Sequence, residues 1–548
     1  MLKKTTRTRF APSPTGYLHI GSLRNALYDY IFAKQNNGKY VLRIEDTDQS
    51  REVAGASEEL IKTLNKIGLP HNEGPILENG KIIDKGDFGP YLQSKRIELY
   101  QKYAKQLVDE KKAYYCFCTS ERLNKMREDQ QAQKIAPKYD RHCLDLTDNE
   151  IQKKIESDEK YVVRFKIPDI GEIICNDLVK GEVKFKANEL DDFVLLKSDN
   201  FPTYHLANIV DDYFMKITHV LRGDEWLPSL PKHLLLWQAF GWESPEYAHL
   251  PLLLNADKSK LSKRQGDVFV EDYLDKGYLP ETILNFVALL GWNPGEGSEQ
   301  EIFSMDELIE KFDINKVNKS GAVFNIEKLD WMNGMYIRKM DIDELTKKCL
   351  PYFKKWFSEN EIKFDKNNYT ASESPRGDSD GAPEENTKVL DTQGGVQHLP
   401  CSAGVSRQGT PAPADLDYIK KIVSIEQTRL KKLSDITDNI KFFYFDDLKY
   451  DPKKIVWKKS NPQDTKKNLQ LCLGLLNNIG VQEFTRENLE IKFKELIEKE
   501  KIGVGDILWP LRYALTAEEK SPNPFEVAWV LGKSRSIERV ERAINLCK

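Results

Sequence analysis

Apolar residues recur at helical spacing between Leu18 and Lys34, at Leu23, Ala26, Leu27, Tyr30 and Ile31, which predicts a helix there. Before it, Thr8 to Ala11 is a short apolar–polar run read as a strand, which Pro12 to Gly16 breaks. Tyr40 to Ile44 reads as a second strand with Glu45-Asp46-Thr47-Asp48 as its polar exit, and Ser57 to Ile67 as a further amphipathic helix. Strand, loop, helix, strand, loop, helix is the order of a parallel sheet with helical crossovers. From Ile97 to Leu123 the pattern is helical, interrupted by Cys116-Phe117-Cys118. Val162 to Ile167, Ile173 to Asn176, Glu182 to Lys186 and Phe193 to Lys197 read as strands, so a mixed α+β insertion is expected at 101–200. Ile217 to Leu221 returns to the parallel sheet and Pro231 to Phe240 is the next helix. Beyond about residue 280 the chain reads almost entirely as helix, including Ile419 to Phe445, Leu469 to Leu476 and Phe484 to Lys499.

One segment breaks the pattern. Ala371 to Asp415 holds no aromatic residue and is rich in Gly, Pro, Ser and Ala. Too little apolar surface is available there to offset the entropy of ordering, so the segment reads as a disordered insert within a helical domain. Elsewhere the composition, 40% hydrophobic and 31% charged, is that of a globular protein of three to four domains. No apolar run of about 18 residues predicts a membrane span, and Met1 to Arg9 is too polar for a secretory signal. Eight cysteines do not make a disulfide framework in a chain of 548 residues, which points to a reducing, cytoplasmic compartment. The net charge of −4 gives no global basic field. Phosphate contacts need only local positive charge, and Lys453-Lys454, Lys458-Lys459 and Lys466-Lys467 form one local cluster.

Two segments carry the chemistry. In Pro14 to Gly21, Gly16 and Gly21 allow close backbone approach at a strand-to-helix turn, and the helix that follows aims free N–H groups at an anion. His19 adds a ring N–H suited to phosphate oxygens. In the second segment, Lys260-Leu261-Ser262-Lys263-Arg264, loop formers flank two lysines three residues apart. Such cations can stabilise the negative charge that spreads as pyrophosphate departs.

His19-Ile20-Gly21-Ser22 and Lys260 to Lys263 resemble the two nucleotide-binding motifs of class I aminoacyl-tRNA synthetases. Thr8 to Gly16, Arg43 to Asp48, Pro202 to Asn208, Leu221 to Trp226 and Leu329 to Gly334 are similar to the glutamyl-tRNA synthetases of bacterial and organellar type. The resemblance implies a Rossmann-type α/β catalytic core at 1–100 and 201–245 around an acceptor-binding insertion at 101–200. It further implies a linking domain with the Lys260–Arg264 loop at 246–325, and an all-α anticodon-binding domain at 326–548 interrupted by the insert. The implied activity is ATP-dependent activation of L-glutamate and its transfer to tRNA(Glu). Two rivals are a non-discriminating enzyme that also charges tRNA(Gln), and a catalytically inactive tRNA-binding scaffold.

Site residues follow by the same resemblance. His19, Lys260 and Lys263 would serve catalysis. Gly16, His19, Gly21, Ser22, Glu225, Trp226, Leu253, Lys260, Ser262 and Lys263 would bind ATP with Mg²⁺. Arg9, Ala11, Ser13, Glu45, Tyr204, Asn208 and Arg222 would hold glutamate, with Arg222 on its side-chain carboxylate and Arg9 and Glu45 on its α-groups. An arginine fork suits a carboxylate better than a lysine does. Arg429 would read the anticodon, as a bidentate arginine can. Cys116 and Cys118, followed 25 residues later by Cys143, resemble the zinc site of some bacterial members. Asp145 stands where the family has His, Tyr139 and His142 are nearby alternatives, and both a zinc-filled site and a degenerate one stay open. A monomer is expected, with tRNA and L-glutamate as partners and no membrane.

Overall fold

The structure is a computed structural model and describes residues 4–48, 51, 53–261, 268–295, 297–362, 415–438, 440–458 and 460–547. The chain forms two compact units, Met1–Asn333 and Gly334–Lys548.

In the first unit, β1 (Arg7–Phe10) is followed by α1 (Ile20–Gln35) and β2 (Lys39–Leu42). β1 and β2 pair in parallel, Arg7 opposite Lys39 through Phe10 opposite Leu42. All of β1 is buried, and α1 covers the pair with Leu23, Ala26, Leu27 and Ile31, each fully buried. A parallel sheet needs such cover. The two strands meet closely at Gly38, where an added Cβ would lie 2.2 Å from the Thr6 carbonyl oxygen. α2 (Ala56–Lys66) comes next, then an antiparallel hairpin of β3 (Gly74–Glu78) and β4 (Lys81–Lys85). Its turn residues Asn79 and Gly80 are both left-handed, φ 48° and 72°, as a tight hairpin requires.

Here the structure departs from the helix expected over Ile97 to Leu123. α3 ends at Asp109 (Ile97–Asp109), and β5 (Ala113–Cys116) pairs antiparallel with β6 (Val162–Phe165). Lys111 turns left-handed at φ 58° and ends the helix, and the aromatic pair Tyr114-Tyr115 suits a strand. α4 (Ser120–Ala132) and α5 (Asp148–Glu156) lie between the two strands in sequence. The hairpin β7 (Glu172–Asp177) and β8 (Gly181–Lys186) follows, then β9 (Val194–Leu196), α6 (Tyr204–Phe214) and β10 (His219–Gly223). β10 returns to the parallel layer beside β1, where the Thr218 N–H donates to the Arg7 carbonyl at 2.9 Å.

α7 (Leu230–Phe240) leads to β11 (Glu246–Leu250), which pairs in parallel with β10. The parallel layer therefore continues past residue 245, where the sequence reading closed it. β12 (Leu253–Leu254) pairs with β13 (Ala322–Val323), and α8 (Val270–Asp275), α9 (Pro280–Ala288) and α10 (Met305–Lys311) lie between them in sequence.

The division between units falls inside α11 (Ile326–Lys339), not at 325. The second unit is helical: α12 (Ile342–Glu359), α13 (Leu416–Glu426), α14 (Lys441–Tyr444), α15 (Pro462–Asn478), α16 (Arg486–Glu500), α17 (Val504–Thr516), α18 (Pro524–Leu531) and α19 (Lys533–Leu546). The expected helix Ile419 to Phe445 is broken after Glu426 and resumes as a 3₁₀ turn at Leu433–Thr437 and as α14. Phe353, Phe357 and Phe443 fill this unit's core. Of the insert expected at 371–415, residues 371–414 lie outside the described residues, while Asp415 caps α13. No described helix is long and apolar enough to cross a membrane.

Gly38→Ala should force β1 and β2 apart and cost about 1–3 kcal/mol, the usual range for overpacking. The urea midpoint of the first unit's unfolding transition checks it.

Candidate active site

A cleft of about 660 Å³ opens above β1, α1, α6 and β10. It gathers Arg9, Ala11, Ser13, Gly16, His19, Ser22, Glu45, Tyr204, Asn208, Arg222, Glu225 and Trp226, all expected from sequence. Local structure places each of them. Arg9 and Arg222 are the penultimate residues of parallel strands β1 and β10. The Glu45 N–H donates to the Pro12 carbonyl at 2.9 Å and ties the 11–16 loop beside the exit of β2. Tyr204, Asn208 and Asp212 follow one another at four-residue steps along one face of α6.

His19 is the N-cap of α1, and its Nδ1 accepts from the Gly21 N–H at 2.9 Å. A neutral ring accepting at Nδ1 carries its proton on Nε2, which makes that nitrogen a donor. No acidic residue sits in the first turn of α1. The positive end of the helix is therefore left for an anion.

Charge in the cleft is arranged around Asp212. Arg9 reaches it through Nε at 3.2 Å and Arg43 through Nη1 at 2.7 Å, all three groups being buried. Burial acts to raise the Asp212 carboxyl, but the two guanidinium groups outweigh it and hold it below its ordinary value. Arg9 keeps both Nη groups without a protein partner among the described residues. Glu45 accepts from Arg43 at 3.1 Å and from Asn208 at 3.3 Å, both on Oε1, and burial raises its carboxyl against the pull of Arg43. Arg222 is held differently. Its partners are His249, Tyr204, His233 and the Trp226 carbonyl, and none is a carboxylate. Burial holds His249 below the ordinary imidazole value and His233 well below it, so both rings are neutral. Arg43, Asp212, His233 and His249 were not singled out from sequence. Arg43 and Asp212 had a signal in charged residues at the exit of β2 and along α6, whereas His233 and His249 had none.

Other expected residues lie apart from these. Gly21 and Leu253 are not on the cleft wall, although a Cβ on Gly21 would touch Leu253 at 3.9 Å. Lys260 is exposed and bridges to Leu254, while Ser262 and Lys263 lie outside the described residues. In the second unit, Arg429 pairs with Glu426 at 3.1 Å.

A separate cluster lies at the end of β5. The thiols of Cys116, Cys118 and Cys143 lie within 4.8 Å of one another. The Tyr139 hydroxyl is 3.2 Å from Cys116 Sγ and 3.4 Å from Cys118 Sγ. Neither His142 nor Asp145 brings a ligand atom into this group. A hydrogen bond from Cys143 lowers the Cys116 thiol, which favours its thiolate. Three sulfurs with one more donor fit the tetrahedral set of a structural zinc.

The sequence profile described as tRNA synthetases class I (E and Q), catalytic domain, matches residues 5–331, and an anticodon binding domain profile matches 397–544. Glutamate–tRNA ligase from Chlorobaculum parvum is 41% identical over 555 residues, spanning 100% of this chain and 99% of its own. The corresponding ligase of Chloroherpeton thalassium is 42% identical, spanning 100% and 99%. This chain belongs to the glutamate–tRNA ligase family. A solved glutamate tRNA ligase from Elizabethkingia meningosepticum, in complex with its amino acid, is 34% identical with a TM-score of 0.79 and 100% coverage of both chains. The enzyme is thus an aminoacyl-tRNA ligase with a class I catalytic domain and a helical anticodon-binding domain.

Burial pushes Glu426 up to about 7. In the native unit it stays protonated where the unfolded chain has already ionised, so stability falls as pH rises from about 4.5 towards 7. Thermal melting of the enzyme between pH 5 and 8 should show this slope in the second unit's transition, and Glu426→Gln should remove most of it.

Proposed function

We propose that the cleft binds L-glutamate beside ATP, forms glutamyl-adenylate, and passes the glutamyl group to the 3′-terminal ribose of tRNA(Glu). The observation that supports this most directly is the placement of three charges around one space. Among the described residues, Arg9 has free Nη groups for an α-carboxylate, Glu45 has a free carboxylate oxygen for an ammonium, and Arg222 has a charge that no carboxylate neutralises. Ala11, Ser13, Tyr204 and Asn208 complete that pocket.

At the start of α1, the Ser22 backbone and the His19 ring would receive the phosphates, with Gly16 and Gly21 giving the turn its close approach to ATP. Glu225, Trp226 and Leu253 would hold the adenosine side. Lys260, Ser262 and Lys263 would balance charge on the pyrophosphate. Mg²⁺ bound with ATP supplies further neutralisation of the phosphate oxygens. An oxygen of the α-carboxylate attacks the α-phosphorus in line, and the bond to pyrophosphate breaks. The terminal ribose 2′-hydroxyl then attacks the carbonyl carbon, loses its proton and displaces AMP. No protein nucleophile is needed, since positioning and charge balance do the work.

In the helical unit Arg429 would contact an anticodon base. Cys116, Cys118 and Cys143 would hold a structural zinc, with Tyr139 as the fourth donor. Purified enzyme should then carry about one equivalent of zinc, and Cys143→Ser should lose it, as elemental analysis would show.

Aminoacylation with labelled glutamate and purified tRNA(Glu) and tRNA(Gln) tests the main reading. Charging of neither tRNA would reject it, and charging of both would mark the enzyme as non-discriminating. Arg222→Ala should raise KM for glutamate by roughly 10–150-fold, the worth of a charged hydrogen bond, with KM for ATP little changed.

A further inference from the structure

Arg222 is only 5% exposed, and a buried cation normally ends on carboxylates. Arg9 and Arg43 do so. Arg222 instead has four of its five N–H groups on neutral atoms. Nε donates to His249 Nε2 at 3.0 Å, Nη1 to the Tyr204 hydroxyl at 3.1 Å and to His233 Nδ1 at 3.2 Å, and Nη2 to the Trp226 carbonyl at 3.4 Å. One N–H of Nη2 is left over.

A guanidinium can only donate, so the ring nitrogens that face it must accept. His249 therefore carries its proton on Nδ1, which donates to Asp177 Oδ2 at 2.6 Å. His233 likewise carries its proton on Nε2, facing His205 Nδ1 at 3.2 Å. Asp177 cannot turn over. Its Oδ1 accepts the backbone N–H groups of Val179 at 3.0 Å and Lys180 at 2.9 Å, and both carboxylate oxygens receive the His249 N–H. The negative charge of Asp177 is thus kept one imidazole away from Arg222.

We propose that Asp177 and His249 are positioning and specificity-determining residues for the amino-acid substrate. By fixing one imidazole tautomer they orient Arg222 without neutralising it. The pocket is left with a buried positive charge that a side-chain carboxylate satisfies and a side-chain amide does not. A pocket whose buried polar group is left unpaired by the wrong substrate rejects it strongly. The inference rests on the reading that Arg222 receives the substrate side chain.

Asp177→Asn tests it at constant volume. The amide oxygen stays on the Val179 and Lys180 N–H groups, so the amide NH₂ faces His249 Nδ1. The ring must then carry its proton on Nε2, donor against donor with Arg222 Nε. In steady-state aminoacylation by the full-length enzyme, KM for glutamate should rise about tenfold while KM for ATP stays within about twofold. The preference for glutamate over glutamine in kcat/KM should fall by a similar factor. His249→Gln, whose amide can accept from Arg222 and donate to Asp177, should stay within about threefold of the parent. His249→Leu, which removes the acceptor, reads the same contact should Asp177→Asn not accumulate. The proposal is overturned if KM for both substrates rises together, or if glutamate KM and the glutamate preference stay at parental values in Asp177→Asn and His249→Leu. Arg222→Ala separates the two levels. Unchanged glutamate KM in that variant rejects the underlying reading, whereas loss there with parental Asp177→Asn and His249→Leu rejects only this inference.

Discussion

The buried ion network centred on Asp212 is the constraint on which the first unit depends. It joins Arg9 on β1 and Arg43 at the exit of β2 to Asp211-Asp212 on α6, with Asp212 lying 203 residues from Arg9 and 169 from Arg43 in the chain. Arg96 and Tyr100 of the α3 region tie Asp211 from the other side at 2.7 and 2.9 Å. Burying so many charges is costly, and Coulomb attraction alone rarely yields net stability. Removing any one member would leave an uncompensated buried charge, which costs several kcal/mol. The network thus acts less as glue than as a register pin: it is satisfied only when β1, β2 and α6 meet in one arrangement.

That arrangement fixes the chemistry of the cleft. Asp212 occupies Arg9 through Nε and leaves its Nη fork open. Arg43 and Asn208 both occupy Glu45 Oε1, so the second carboxylate oxygen is available. Arg9 and Glu45 are each oriented by a buried group of opposite charge, Asp212 and Arg43. Arg222 is the exception in kind, since its orienting partners are neutral. A cation held by carboxylates is already satisfied, whereas a cation held by imidazoles and a phenol still gains from a charged ligand. On the proposed reading Arg9 would lend only part of its charge to an α-carboxylate while Arg222 would meet a side chain, and the difference in their partners supports that division.

Much of this was legible in the sequence and some was not, for physical reasons. α1 and β1 were readable because their apolar spacing is unambiguous and Pro12 to Gly16 punctuates it. Twelve residues of the cleft were named through the family resemblance of the segments that carry them, and those segments lie at the ends of parallel strands, where such folds place their ligands. The strand at Ala113–Cys116 was hidden because its neighbours are helical and its four residues alternate too briefly to outvote them. The β3–β4 hairpin announced itself by Asn79-Gly80, a strong turn signal that went unused. β11 was missed because Glu-Tyr-Ala-His-Leu lacks the β-branched run of a buried strand, its pairing with β10 being decided by tertiary context. Asp177, His233 and His249 were unreadable because nothing local distinguishes a histidine that accepts from an arginine from one that packs.

Asp177 also changes what the inserted segment does. The sequence reading assigns 101–200 as a mixed α+β insertion. Yet Asp177 closes strand β7 of that segment, and the next residue, Leu178, donates its N–H to the Tyr247 carbonyl on β11 at 2.8 Å. His249 lies two residues further along β11, with its own N–H on Asp177. The β7–β8 hairpin is therefore bonded to the last parallel strand at the point where that strand supplies the acceptor for Arg222. The cleft is in this sense built by two segments. The core contributes the charged groups, and the insertion contributes the carboxylate that fixes the tautomer holding Arg222.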